Sequence, residues 1–343
     1  MIKESQVSNK NMTITLAHGD GGELTHKLIS ELFLKYFPYE ALQALGDAAL
    51  LPPPAGRIAV TTDSFVVKPL FFPGGNIGSL AVNGTINDLA VTGARPLYLT
   101  LGLILEEGLS YSTLEKVISA IALAAQEAEV AIVAGDTKVV EHGHGDQIYI
   151  NTTGIGVAAD NIDLGPHRVE PGDVVIISGP VGDHGLTVLA TRENFGLQGL
   201  KSDCAALHKV ILPFLKALGP AVKWLRDPTR GGLATTLKEL ATSARVNVYL
   251  NEEDIPVREE VRGAAELLGL DPLYLANEGK FCAVVEKSAV DQALIFLRQH
   301  PLSKEATLIG EVREGSGRVY LRTPLGATRE LHYLSGLLLP RIC

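Results

Sequence analysis

The most reactive side chain in the sequence stands last, in Leu339-Pro340-Arg341-Ile342-Cys343. A thiolate is the strongest ordinary nucleophile among side chains. Pro340 cannot continue a helix, and the residue before it favours extended geometry. The stretch from Ser335-Gly336 onward therefore reads as a short extended arm, able to load a group in one place and deliver it in another. A prenylation signal is excluded, because that motif needs three residues after the cysteine. On its own, a terminal cysteine also fits an accident of where the chain stops.

A second chemistry-bearing set is acidic. Asp88 is the only charged residue between Pro69 and Ala94, on a stretch otherwise made of small and apolar residues, with Asn83 and Asn87 stacked at i and i+4. A lone carboxylate on a mostly buried helix costs several kcal/mol unless a cation satisfies it. An Arg or Lys from elsewhere and a metal ion are both open. Three more acids share the setting: Asp47 in Leu45-Gly46-Asp47-Ala48, Asp63 in Thr61-Thr62-Asp63-Ser64, and Asp136 in Ala134-Gly135-Asp136-Thr137 after a buried strand. Any one of them fits a turn or a helix cap. Four together predict a cluster that needs cations, and magnesium, which binds through a few carboxylates plus water and phosphate, suits them. Lys138 would then add a point charge for a phosphate oxygen.

Other signals are weaker. No Walker A or G-x-G-x-x-G pattern occurs; His18-Gly19-Asp20-Gly21-Gly22 before the first helix is a modest anion-binding candidate. His142-Gly143-His144 is a poor metal candidate, since this spacing is common in loops and no Cys lies nearby. His184 reads as a helix-start residue, and Arg230 suits either a phosphate or an acid. Cys204 and Cys282 read as small buried side chains inside elements.

Elements must position these residues. The 343 residues allow two domains of common size, and 46% hydrophobic with 20% charged residues fits a globular core. A net charge of −9 argues against nucleic acid as a main partner. Neither a signal peptide nor a membrane span is expected, and three unpatterned cysteines fit a reducing cytoplasm. Helical spacing covers 23–37, 76–92, 112–127, 184–194, 205–218 and 233–243; strands are expected at 58–67, 97–105, 130–134, 147–157 and 174–178. The Asp-, Gly- and Pro-rich stretch 158–172 divides the chain into an N-terminal domain (1–160) and a C-terminal domain (170–333), followed by the tail 334–343. The halves read as α+β, because strands and helices do not alternate regularly.

Taken in order, Leu45-Gly46-Asp47-Ala48-Ala49, Thr61-Thr62-Asp63-Ser64, Asn87-Asp88-Leu89-Ala90, Ala134-Gly135-Asp136-Thr137 and Asp227-Pro228-Thr229-Arg230-Gly231-Gly232 resemble the aminoimidazole ribonucleotide synthetase superfamily, which includes selenophosphate synthetase, thiamine-monophosphate kinase and formylglycinamidine synthetase. Ser178–Gly185, Ser202-Asp203-Cys204-Ala205, Ala276-Asn277-Glu278-Gly279-Lys280 and the terminal Pro-Arg-Ile-Cys are similar to its carbamoyl dehydratase branch, which serves hydrogenase maturation. The resemblance covers about residues 13 to 343. It implies a two-domain α+β fold whose N-terminal domains pair into a β-barrel across a homodimer, with ATP near the N-terminal acids. It implies that a HypF-type carbamoyltransferase carbamoylates Cys343, that ATP activates the carboxamide oxygen, and that loss of phosphate leaves a thiocyanate whose cyanide passes to iron on a HypC–HypD complex. In that scheme Asp47, Asp63, Asp88 and Asp136 hold magnesium, and Lys138 steadies phosphates. Thr137, Asn83 and Gly154 lie beside the nucleotide, and Glu278 is the base. An isolated Asn-Glu-Gly acid fits a solvent-facing loop equally well. Two rivals remain: a small-molecule kinase of the same superfamily, which needs no terminal thiol, and a non-enzymatic adaptor, which needs no magnesium-dependent nucleotide binding.

Overall fold

The computed structural model describes residues 12–197 and 199–334; Cys343 and the tail from Ser335 lie outside the described residues. Two large sheets divide the described residues, with a two-stranded ribbon of Phe71–Phe72 and Gly75–Asn76 in addition. The first is built from β1 (Arg57–Phe65), β2 (Ala94–Glu106), β3 (Ala131–Val140) and β4 (Ile148–Ala158), with helices α1 (Ile77–Val91) and α2 (Tyr111–Glu127). Its strand order is β1-β4-β2-β3, an open four-stranded sheet and not a closed barrel. The β2–β3 pair is parallel and the other two are antiparallel.

The second sheet has seven strands. In chain order they are β5 (Val174–Ile177), β6 (Val222–Arg226), β7 (Val246–Asn251), β8 (Cys282–Val285), β9 (Thr307–Glu314), β10 (Val319–Arg322) and β11 (Thr328–Leu331). They run in the order β11-β10-β7-β9-β5-β8-β6, with helices α3 (Asp183–Arg192), α4 (His208–Leu218), α5 (Gly232–Ala244), α6 (Glu259–Leu268) and α7 (Val290–Leu297). The fold is two-domain α+β. No helix among the described residues is long and apolar enough to cross a membrane.

Helix α1 is the central element. Asn76 caps it, its Oδ1 accepting from the N–H groups of Gly78 (2.8 Å) and Ser79 (3.2 Å), while Ser79 Oγ accepts from the Asn76 N–H. Nearly every residue from Ile77 to Val91 is buried, as expected for a helix that is small or apolar all round. One side lies on the first sheet. Another faces the second domain, where Ala90 and Val91 join the apolar cluster of Phe214, Phe281 and Leu297. A lone carboxylate on this helix therefore sits at the junction of the two domains.

Three elements differ from their sequence expectation. The strand expected at 130–134 continues to Val140, because its parallel register with β2 runs on from Leu101–Gly135 to Glu106–Val140; Asp136 thus lies within the strand and not after it. The first helix is broken into Glu23–Leu28, a wider-wound segment Ile29–Phe33 and Leu34–Tyr36. Helix α4 starts at His208 rather than 205, since the backbone of 205–207 is engaged by another domain's side chain: Asn87 donates to the Ala205 carbonyl and accepts from the Leu207 N–H. Cys204 consequently lies on an irregular segment, whereas Cys282 is fully buried in β8.

Candidate functional site

Strand alternation aims Thr61, Asp63 and Phe65 of β1 inward at α1, and Ser64 outward. On α1, Gly84 and Asp88 lie one turn apart and face the same gap. The second domain closes it with Asp227 and Arg230, just past the end of β6, and with Glu278, just before β8. The result is a small cavity of about 40 Å³ lined by Asp63, Asp88, Asp227, Glu278, Thr229 and Arg230. It has room for an ion and a little water, not for a nucleotide base.

Four carboxyl groups share this gap with one guanidinium. Burial first, and then the Asp88 charge, push Asp63 up to about 6, against the pull of Arg230. Burial and the Asp88 charge push Asp227 up to about 7. Asp88 is raised by burial, although the Thr61 hydroxyl donates to its Oδ2 at 2.8 Å and Arg226 and Arg230 oppose the shift. Glu278, only 3% exposed, is raised well above the carboxylate range by burial and by the charges of Asp227, Asp203, Asp63 and Asp88. Such crowding is what a cation relieves. Two neighbouring carboxylates, Asp63 and Asp88, with space left for phosphate oxygens, fit magnesium, which takes few protein ligands.

The loop carrying Glu278 is held from several sides. Asn277 is fully buried: its Oδ1 accepts from the Gly182 N–H (2.7 Å), and its amide donates to the carbonyls of Pro228 and Leu275 (each 3.0 Å). Asp203 accepts from the Glu278 N–H (3.0 Å) and from Lys280 Nζ (3.2 Å) in a nearly fully buried ion pair. Far from being a solvent-facing turn, Asn277-Glu278-Gly279 is an interior loop.

The four expected magnesium acids do not form one cluster within the chain. Asp63 and Asp88 meet. Asp47 is exposed on the loop after Glu40–Gln43. Asp136 and Lys138 are exposed and pair with each other at 3.1 Å. The register row Ser64–Asn151–Gly102–Asp136 places Asp136 three strands from β1, on the outward face of the sheet. Asp136, Thr137 and Lys138 also line a different cavity at the β3 edge of the sheet, of about 240 Å³, together with Gly19, Gly21 and Thr25 of the glycine-rich segment and first helix and with the inward Leu101 and Leu103. Among the described residues no three His, Cys, Asp or Glu side chains are arranged as a metal cage, the His142-Gly143-His144 stretch included.

Two expected nucleotide residues serve packing. Asn83 is buried and donates to Cys204 Sγ at 3.5 Å. Gly154 lies under α1, where a Cβ would come within 2.7 Å of Thr85 Cγ2 and 3.0 Å of Leu89 Cδ1; close helix–sheet contact demands glycine there. The internal thiols are poor nucleophiles, since burial pushes Cys204 up to about 12 and Cys282 higher still.

Residues 45–158 match the AIR synthase related protein N-terminal domain, and residues 170–322 match the AIR synthase related protein C-terminal domain. The carbamoyl dehydratase HypE of Azotobacter vinelandii is 48% identical over 341 residues, covering 99% of this chain and 100% of that protein. The chain belongs to the AIR synthase related family, in its HypE branch. A crystal structure of the hydrogenase maturation protein HypE in complex with ATP superposes with a TM-score of 0.93 at 46% identity, covering 96% of this chain and 100% of that one. A HypE–HypF complex matches with a TM-score of 0.79 at 47% identity, covering 90% of this chain and 99% of the other. Within this HypE-branch frame, sequence reasoning assigned no role to Asp227 or to the Asp203–Lys280 pair. The available signal was an acid directly after the strand-like stretch Val222-Lys223-Trp224-Leu225-Arg226, which is the pattern of a residue at a strand end lining a domain cleft.

Proposed function

We propose that this chain is an ATP-dependent carbamoyl dehydratase that converts an S-carboxamide on its own Cys343 to a thiocyanate, the cyanide source for a NiFe hydrogenase iron centre. The observation that carries the reading is the convergence of a buried glutamate, Glu278, with the carboxylates Asp63 and Asp88 in one gap between the domains. The kinship with HypE proteins supports it.

The chemistry needs a phosphoryl acceptor, a leaving group and a base. The carboxamide oxygen on Cys343 attacks the γ-phosphorus of ATP, ADP leaves, and loss of one nitrogen proton gives the O-phosphorylated imidate. Removal of the second nitrogen proton and departure of phosphate then leave S–C≡N. Glu278 takes that proton once a cation in the gap offsets the neighbouring carboxylates and lets it ionise; the burial that raises its pKa makes the resulting carboxylate a stronger base. Asp63 and Asp88 would hold magnesium, which when bound would neutralise phosphate charge. Arg230, the cation at the rim, orients the departing phosphate. The half-buried Cys204 and buried Cys282, both raised, compete poorly with Cys343 for the carbamoyl group.

The chain works as a homodimer. The outward face of the first sheet is uncovered and carries Ile58, Val60 and Ile104, which are 62%, 64% and 43% exposed. The same face bears Asp136 and Lys138. Pairing two such faces closes the four-stranded sheet into a barrel and hides the apolar residues. It also turns Asp136 and Lys138 toward the second copy, where they complete the nucleotide site with Thr137 beside them. The partners are a HypF-type carbamoyltransferase, in keeping with the known HypE–HypF complex, and a HypC–HypD iron carrier, in a reducing cytoplasm.

The test is intact-mass measurement after incubation with a HypF-type carbamoyltransferase, carbamoyl phosphate and Mg–ATP. The expected result is a carbamoyl adduct on the C-terminal peptide that then loses one water, and neither mass change with Cys343→Ala. Full turnover by the Ala variant, or phosphorylation of a small acceptor in place of water loss, overturns the reading.

A further inference from the structure

Helix α1 presents two different stripes to its surroundings. Gly84 and Asp88, one turn apart, look into the acid gap. Asn83, Asn87, Ala90 and Val91 look at the second domain: Asn83 at Cys204, the two apolar residues at the cluster around Phe214. Asn87 is the polar member that engages backbone. It is 1% exposed, and three of its bonds leave the helix. Its Nδ2 donates to the carbonyl of Glu278 (3.2 Å) and to that of Ala205 (3.0 Å), and its Oδ1 accepts from the N–H of Leu207 (2.8 Å). The Glu278 carbonyl takes a second bond from the Ala205 N–H at 3.3 Å, so Asn87, Ala205 and Glu278 close a small ring. The loop has little slack elsewhere, since a Cβ on Gly279 would overlap the Asp203 carbonyl.

We propose that Asn87 is a positioning residue that fixes the Glu278 main chain across the domain boundary, and so sets the spacing between the base and the carboxylate of its neighbour in sequence, Asp88. This rests on the dehydratase reading and on Glu278 as its base. One rigid helix carries both members of the pair: Asp88 directly on its own side chain, Glu278 through the amide of residue 87. Packing alone would be served by any small apolar residue at 87. An amide whose donors are both spent on the carbonyls of another domain's loops is suited to registration instead. A buried carbonyl left without its donor would let the loop relax, and a displacement of about 1 Å at a proton-transfer site costs about 100-fold in rate.

The experiment compares wild type, Asn87→Ala, Glu278→Gln and the double variant, each as the full chain S-carbamoylated by its carbamoyltransferase. It reads single-turnover water loss by intact mass, nucleotide affinity by calorimetry, and melting temperature. Asn87→Ala should slow water loss about 100-fold while nucleotide affinity stays within about 3-fold, and should slow Glu278→Gln by less than about 3-fold further, because a residue acting through the base has nothing left to position. Asn87→Leu, which keeps the volume but has neither donor nor acceptor and adds no charge, is the fallback if the Ala variant does not fold, with the same expectation. The proposal is overturned if water loss by a folded Asn87 variant stays within about 3-fold of wild type. It is equally overturned if the Asn87 and Glu278 losses multiply, or if nucleotide affinity falls in step with rate. Absence of water loss in wild type itself would instead overturn the dehydratase reading.

Discussion

Asp88 and Asp136 look alike along the chain, each a short acid among small residues, yet they inhabit opposite environments. Asp88 lies in a closed gap between domains, raised by burial, bonded to Thr61 and crowded by Asp63 and Asp227. Asp136 stands on an open sheet face, its side chain 71% exposed and paired with Lys138. The difference teaches that the buried acids store a cost in the free chain that a bound cation relieves, whereas the exposed ones store none and wait for a covering surface.

The strongest way to probe the buried side is Glu278→Gln. Water loss from the carbamoylated chain should fall about 10²- to 10⁴-fold, with carbamoylation itself intact by mass. A variant that keeps wild-type speed would remove the base from the gap. On the exposed side, Val60→Lys places a charge in the uncovered apolar face. Sedimentation should then report monomers with little change in melting temperature, and an unshifted dimer would mean that another surface pairs.

Asp88→Asn separates the two regions directly. It should weaken magnesium-dependent nucleotide binding about 10- to 100-fold by calorimetry and yet leave the free chain as stable as wild type, or more so. Asp136→Asn should not stabilise the free chain; equal stabilisation by both would erase the contrast.

The pH response follows from the same crowding. Asp63 and Asp227 titrate near 6 and 7 in the folded chain, above the ordinary Asp value of 3.8. Between those values the folded state binds more protons than the unfolded one, so stability falls as pH rises from about 4 to about 7. Melting scans without magnesium should show this decline, and Mg–ADP should flatten it; a rise over that window would contradict the raised values. The smallest effect belongs to Lys138→Ala, since an exposed pair contributes less than about 1 kcal/mol, measurable as a minor shift in a denaturant midpoint.

Much of the first domain was legible because its signals are local. The small, apolar run around Asp88 reads as a buried helix, and 58–67 reads as a strand, which the structure ends at Phe65. The length of β3 was not legible, because its second half is held by parallel pairing with β2 and not by its own hydrophobicity. Nor were the contacts of Asn83 and Gly154, which face Cys204 and the underside of α1.

By itself the chain determined which residues have the chemistry: a terminal thiol, a lone carboxylate on an apolar helix, an acid in an Asn-Glu-Gly turn and a family pattern that orders them. Periodicity and residue type act over a few neighbours, and such information survives in one dimension. Only the tertiary structure decided which acids meet. Asp63, Asp88, Asp227 and Glu278 come from four separate segments, and their shared gap exists because one helix packs against both domains at once. Burial and mutual repulsion, which make that gap reactive, depend on distances that no spacing along the chain encodes.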